Sequence, residues 1–244
     1  TGLVVSDLHL FARRSIGREL MRDLLPDLKR IQVLVLNGDI VDFRWSTLAN
    51  HAETLRHSID WLEGLAASLS GCCQIHYVLG NHDCLKEFKP ALTKLAGRHA
   101  GFHWHEFSLQ RDGLLFVHGD CLHWRGTGSY RDEWSRSGQR GRLATDTYRL
   151  LDRLGVTRAV HRWHFPVDRT LDRLTRHLDE AHEGWRQTVR HCYFGHTHEP
   201  FENVGRDGVV FHNTGSAIRG MKFNPLAVSL DIRSAGSEQT RASA

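Results

Sequence analysis

Five short clusters of histidine, aspartate and asparagine punctuate the chain in order: Asp7-Leu8-His9, Gly38-Asp39-Ile40-Val41-Asp42, Gly80-Asn81-His82-Asp83, His118-Gly119-Asp120 and Gly195-His196-Thr197-His198. Their donor atoms are imidazole nitrogens, carboxylates and one amide oxygen, with no thiolate, a set that borderline divalent cations accept. Carboxylates can also bridge two ions. Asp7 and His9, like His196 and His198, stand two positions apart, which in extended chain turns both side chains to one face. Taken singly each cluster has a plainer explanation. Asp-x-His recurs by chance, Gly-Asn-His-Asp suits a turn, and any one of eighteen histidines can be packed or solvated. Together, each directly behind an apolar run, they predict one site holding two metal ions. No Gly-x-Ser-x-Gly elbow offers a serine nucleophile instead.

The elements that must position these donors are short apolar, β-branched runs: 3–5, 33–36, 75–79, 114–117, 192–194, 209–211 and 227–232. Between the early ones lie helix-like stretches, 16–30 and 50–69, the second with Leu55, Ile59, Leu62 and Leu65 or Ala66 at helical spacing. Such alternation predicts an α/β fold, in which ligands gather outside the carboxyl ends of strands. Residues 121–190 lack strand signals and read as a helical insertion, striped by Leu171, Leu174, Leu178, Ala181 and Trp185. The glycines of its first third predict a mobile loop. The expected organisation is a single core of residues 1–120 and 191–233, a helical lid insertion at 121–190, and a flexible polar tail at 234–244.

Hydrophobic residues at 40% and charged residues at 25% are ordinary globular proportions, so the chain should fold on its own. The formal charge of +4 is unevenly spread. Residues 121–190 hold fourteen arginines, no lysine and nine acidic residues, a local +5 that marks a contact for an anionic partner. Five cysteines without a Cys-x-x-Cys pair argue against a disulfide framework or a structural zinc site and fit a reducing compartment, hence the cytoplasm. No apolar run is long enough to span a membrane, and the chain opens directly on a strand signal. The lack of an initiator Met reads as a trimmed start and leaves a removed targeting segment open.

In this order, Asp-x-His, Gly-Asp-x-x-Asp, Gly-Asn-His-Asp, His and Gly-His-x-His resemble the signature of the calcineurin-like metallophosphoesterase superfamily, over Thr1 to about Ile232. The resemblance implies a four-layer αββα sandwich with the metals at one sheet edge. It implies one metal held by Asp7, His9, Asp39 and His198 and a second by Asp39, Asn81, His118 and His196, with Asp39 bridging. His82 takes the place of the family's catalytic histidine, which stabilises the transition state or protonates the leaving oxygen, and Asp83 would orient it. Asp42 and Asp120 match supporting positions behind the ligands. Manganese is the metal the resemblance implies, and the donor set also admits iron or zinc. Two cations roughly 3.5 to 4 Å apart would acidify a shared water, so the expected nucleophile is a metal-bridging hydroxide.

Within the superfamily, Ser6-Asp7-Leu8-His9-Leu10, Gly38-Asp39-Ile40-Val41-Asp42-Phe43, His118-Gly119-Asp120, the helical insertion and Asn213-Thr214-Gly215-Ser216 resemble the UDP-2,3-diacylglucosamine pyrophosphatase group. That implies cleavage of a lipid-linked nucleotide sugar to UMP and a lipid phosphate in lipid A synthesis, with peripheral contact at the inner membrane. The group carries Arg where this chain has His82. The insertion could serve as a lid, its arginines meeting phosphates and its apolar side, with Trp124, Trp134, Trp163 and Trp185, meeting acyl chains; solvated arginines and core-packed tryptophans are the plainer alternative. Arg13 and Arg14 after the first cluster, and Arg44 with Trp45 after the second, stand where a substrate phosphate or base could reach. A nuclease or nucleotide phosphodiesterase is the alternative enzyme, although a local +5 over seventy residues is small for a nucleic-acid groove. A non-catalytic scaffold should have lost several donors, and all are present. Protein serine/threonine phosphatases would have Glu at Asp83.

Overall fold

The structure, a computed structural model, describes residues 1–123, 131, 134, 135, 138–140 and 165–230. Its first part alternates strand and helix: β1 (Gly2–Val5), α1 (Gly17–Leu28), β2 (Val33–Asn37), α2 (His51–Ser68), β3 (Gln74–Val78), α3 (Phe88–Arg98) and β4 (Phe102–His105). There follow β5 (Ser108–Arg111), β6 (Leu114–Val117), a 3-10 turn (Asp120–His123), α4 (Val167–Ala181), the short α5 (Trp185–Thr188), β7 (His191–Phe194), β8 (Phe201–Arg206), β9 (Val209–Asn213) and β10 (Leu226–Val228).

The strands form two five-stranded sheets, ordered β10-β1-β2-β3-β4 and β5-β6-β7-β9-β8. β1 to β4 are parallel, as are β6, β7 and β9, while β10, β5 and β8 run antiparallel to their neighbours. Side chains alternate across each strand and so sort into layers. Val4, Val33, Val35 and Val78 of the first sheet meet Leu114, Phe116 and Tyr193 of the second in a shared core. Their neighbours Val5, Leu34, Leu36 and Tyr77 face the other way, against α1 to α3. Leu115, Val117, Cys192 and Phe194 face outward from the second sheet, against Leu171, Leu174 and Leu178 of α4 and Trp185 of α5. The result is the expected order of helix, sheet, sheet, helix.

Residues 167–188, which the sequence assigns to the insertion, therefore supply the fourth layer, each fully buried leucine of α4 being worth roughly 1.5–3 kcal/mol. The other residues of that insertion, apart from positions 121–123, 131, 134, 135, 138–140, 165–166 and 189–190, lie outside the described residues, as do Trp124, Trp163 and the 234–244 tail. Three strands and one helix escape the apolar-run reading. β4, β5 and β8 are sheet edges, only half covered, and carry mixed sequences such as Phe-His-Trp-His and Ser-Leu-Gln-Arg. α3 buries a short stripe of Phe88, Leu92 and Leu95. α2 is rotated from expectation. It buries Thr54 and Ser58 in line with Leu62 and Leu65, because Thr54 bonds Ser46 Oγ at 2.8 Å and Ser58 bonds Thr54 O at 2.6 Å. Among the described residues no helix is long and apolar enough to cross a membrane.

Candidate metal centre

All five clusters follow the carboxyl ends of parallel strands, Asp7 after β1, Asp39 after β2, Asn81 and His82 after β3, His118 after β6, and His196 and His198 after β7. Asn37, the last residue of β2, stitches the two sheets together behind them, its amide donating to Val117 O at 3.2 Å and Tyr193 O at 3.0 Å. Donors from both sheets thus meet at one rim.

The way the chain delivers them differs from the extended reading of the paired motifs. Asp7, His9, Asp39, His196 and His198 all have left-handed backbone, with φ between 47° and 65°. Non-glycine residues rarely adopt this conformation, and it concentrates where function over-determines the backbone. The paired side chains converge through these tight turns rather than through strand alternation. Two glycines make room. Gly38, at φ 84°, lies where a Cβ would strike the His118 ring, and a Cβ at Gly195 would overlap the Asp7 carboxylate and the Ser6 hydroxyl.

Two groups of three donors result, Asp7 with His9 and His198, and Asp39 with His118 and His196, the donor atoms of each group within 4.8 Å of one another. His198 Nε2 is 3.2 Å from Asp7 Oδ1 and 3.2 Å from His9 Nε2. His118 Nε2 is 3.1 Å from Asp39 Oδ2, and His9 Nε2 lies 3.8 Å from Asp7 and 3.9 Å from Asp39. Asp39, a donor of the second group, therefore also approaches the first. The tautomers suit metal ligation. Asp42 Oδ2 accepts from His9 Nδ1 at 3.1 Å, and Asn37 O accepts from His118 Nδ1 at 3.3 Å, which leaves Nε2 of each ring facing the site. Asn81 Oδ1 is buried and makes no hydrogen bond, and such an orphan costs about 1–3 kcal/mol unless something binds it. Left-handed turns, a buried orphan and a thiolate-free donor set together fit two divalent cations. A third group, His9, Asp42 and His82, has a simpler meaning, one carboxylate orienting two imidazoles.

The site's charges oppose one another. Burial works against ionisation of Asp39, but His118, His82 and His9 outweigh it and hold the carboxyl well below its usual range. Asp7 is likewise lowered against its burial by His198 and His118. Burial keeps His198 below the usual imidazole value. His118 is raised to about 10 despite burial, mainly by Asp39. His82 Nδ1 sits 3.0 Å from Asp42 Oδ1, and Asp42 and Asp39 overcome burial to raise this imidazole to about 9.

Asp83 does not orient His82. Its carboxylate accepts from Tyr77 OH at 2.7 Å, Ile40 N at 2.9 Å and Gly80 N at 2.5 Å, fastening the β2 and β3 turns together beneath the site. Burial and Asp39 raise it to about 6. Asp42 is the carboxylate facing His82, itself held by the Arg44 and Trp45 amides at 3.0 and 2.8 Å. Asp120 pairs in bidentate fashion with Arg131 at 2.7 and 2.8 Å. Arg13 is exposed and Arg14 half-buried in the turn after β1, where Arg14 O accepts from Arg219 N at 2.8 Å.

Several supports escaped the sequence reading. Ser6 donates to Asp7 Oδ2 and lies 2.5 Å from Thr214 Oγ1, and Ser216 Oγ and Ala217 N donate to Asp7 O. Asn213 donates to Gly195 O at 2.9 Å and Thr197 Oγ1 at 3.1 Å. The Asn213-Thr214-Gly215-Ser216 segment is thus a buttress for both paired motifs. Its place behind β9, at the same rim, was the available signal.

Residues 3–200 match the calcineurin-like phosphoesterase family, and the chain belongs to it. It is a metal-dependent phosphoester hydrolase. A dimetal phosphatase from Danio rerio, known from its crystal structure, is similar at 16% identity and a TM-score of 0.43, over 89% of this chain and 88% of that one. No curated protein matches the chain.

Proposed function

We propose that this hydrolase cleaves a phosphodiester or diphosphate with two divalent cations, one held by Asp7, His9, Asp39 and His198, the other by Asp39, Asn81, His118 and His196. The observation that carries this reading is the pair of three-donor groups, with Asp39 a member of one and 3.9 Å from His9 of the other. When bound, the cations supply charge neutralisation for the phosphoryl oxygens and an activated water. The chain's own residues do the rest. Asp42 holds His9 Nδ1 and so aims Nε2 inward. His82, kept cationic by Asp42 and Asp39, carries its remaining proton on Nε2, 3.9 Å from Asp39 Oδ2, and gives it to the departing oxygen. Manganese is the metal we favour, in line with the family resemblance.

The finer reading is a UDP-diacylglucosamine-type lipid nucleotide cleaved to UMP and lipid phosphate at the cytoplasmic membrane surface, supported by the motif set around Asp7, Asp39, His118 and Asn213. Arg13, Arg14, Arg44 and Trp45 are its proposed substrate contacts, and its proposed organisation is a core of 1–120 and 191–233 completed by the helical layer at 167–188, with the lid confined to the rest of 121–190. Purified protein is assayed with added manganese on that lipid nucleotide, simple nucleotide diesters, phosphomonoesters and single-stranded DNA. Asp39→Asn and His118→Ala are expected to lose both hydrolysis and bound metal. Full activity in a metal-stripped variant refutes the dinuclear reading, and turnover of DNA in preference to the lipid nucleotide refutes the substrate.

A further inference from the structure

Trp134 brings an indole against the ring of His82, the centroids 4.4 Å apart and the planes inclined at 51°. The imidazole is also bounded by Asp42 Oδ1, 3.0 Å from Nδ1, and by the edge-on His9 ring at 4.7 Å. Arg44 also packs on the indole, its guanidinium 4.1 Å from the Trp134 ring centroid. His82, Trp134 and Arg44 line a small cleft with Phe43 and Asn81 beside the metal centre.

Trp134 comes from far along the chain, and described residues before and after it, Arg131, Gln139 and Arg140, are tied to the core. On one side Arg131 clamps Asp120 at 2.7 and 2.8 Å, donates to Glu106 O, and offers its own carbonyl to Cys84 Sγ at 3.4 Å. On the other, Arg140 N donates to Arg44 O at 2.8 Å and the Gln139 amide donates to Ser46 O and Leu48 O at 2.8 and 2.7 Å. Apart from Glu106, between β4 and β5, these anchors lie on the turns or loops that follow β2, β3 and β6, strands of the site.

A single contact at Nδ1 leaves an imidazole free to swing about that point, carrying Nε2 off the line to a departing oxygen. A flat ring laid against it removes that freedom, and displacement by an ångström is enough to cost much of a proton transfer. We infer that Trp134, on which Arg44 packs, is a positioning residue that holds His82 in its proton-donating orientation. This rests on the role proposed above for His82.

The test uses the full metal-loaded chain and two probes, a nitrophenyl phosphodiester with a good leaving group and an alkyl phosphodiester with a poor one. Trp134→Ala is expected to lower kcat on the alkyl probe by about 10- to 100-fold, with little change on the nitrophenyl probe, in KM or in bound metal. Trp134→Phe restores most of the loss. In His82→Ala the further change Trp134→Ala has no added effect. Trp134→Leu, which keeps much of the volume but no flat ring, gives a smaller loss of the same pattern and serves if Trp134→Ala does not fold. Equal losses on both probes, a rise in KM alone, or additive losses with His82→Ala overturn the inference. If His82→Ala itself shows no leaving-group dependence, the proton-donor role fails first; if it does and Trp134→Ala does not, only the positioning role fails.

Discussion

Replacing Asp120 by Asn removes one charge from a nearly buried ion pair, the carboxylate and the Arg131 guanidinium being only 5% and 12% exposed. Burial alone would raise the carboxyl, yet Arg131 lowers it from 3.8 to about 2. At about 1.36 kcal/mol per pKa unit that is about 2 kcal/mol of stability at neutral pH. The unpaired guanidinium left behind brings the expected cost to about 2–4 kcal/mol, a fall in Tm of roughly 5–15 °C for a chain of this size. The sign follows from the depressed folded pKa. The contribution is complete above pH 3.8, about half gone near pH 3 and absent once pH falls below about 2. Urea unfolding of metal-free wild type and Asp120→Asn from pH 7 to pH 3 reads this directly. Other carboxylates titrate in the same range, so the quantity to follow is the gap between the two proteins. A gap that stays constant with pH, or a variant as stable as wild type at pH 7, refutes the reasoning.

Two further outcomes are expected. In the metal-free protein His82 should titrate near 9 by NMR, its charged form being stabilised fully below pH 6.5 and released as pH rises through about 9; zinc or Asp42→Asn should lower that value, and a titration at or below 6.5 refutes the charge placement. Gly195→Ala should cost about 1–3 kcal/mol and reduce bound metal with the circular dichroism unchanged, because the new methyl displaces Asp7; normal metal content contradicts the tight approach.

The site was more legible than the frame around it. Each donor cluster follows a run of buried apolar residues, Val33 to Leu36 or Leu114 to Val117, whose signal survives because both faces of those strands are covered. β4, β5 and β8 lack that pattern because an edge strand buries one side only. The i, i+2 spacing joins Asp7 and His9 in one donor group but divides His196 and His198 between two, through left-handed turns that cannot be read from residue types when the turn residues are Asp and His rather than glycine. Asp83 illustrates a further limit. Adjacency to His82 in sequence says nothing of where the carboxylate points, and Tyr77 and two backbone amides claim it from below.

Each donor group draws on both sheets, Asp7 and His9 with His198, and Asp39 with His118 and His196. A cation in either group is therefore a rivet across the sandwich. Loading stabilises the whole molecule in proportion to the logarithm of free metal, and a chelator that merely silences the enzyme also loosens the seam between its halves.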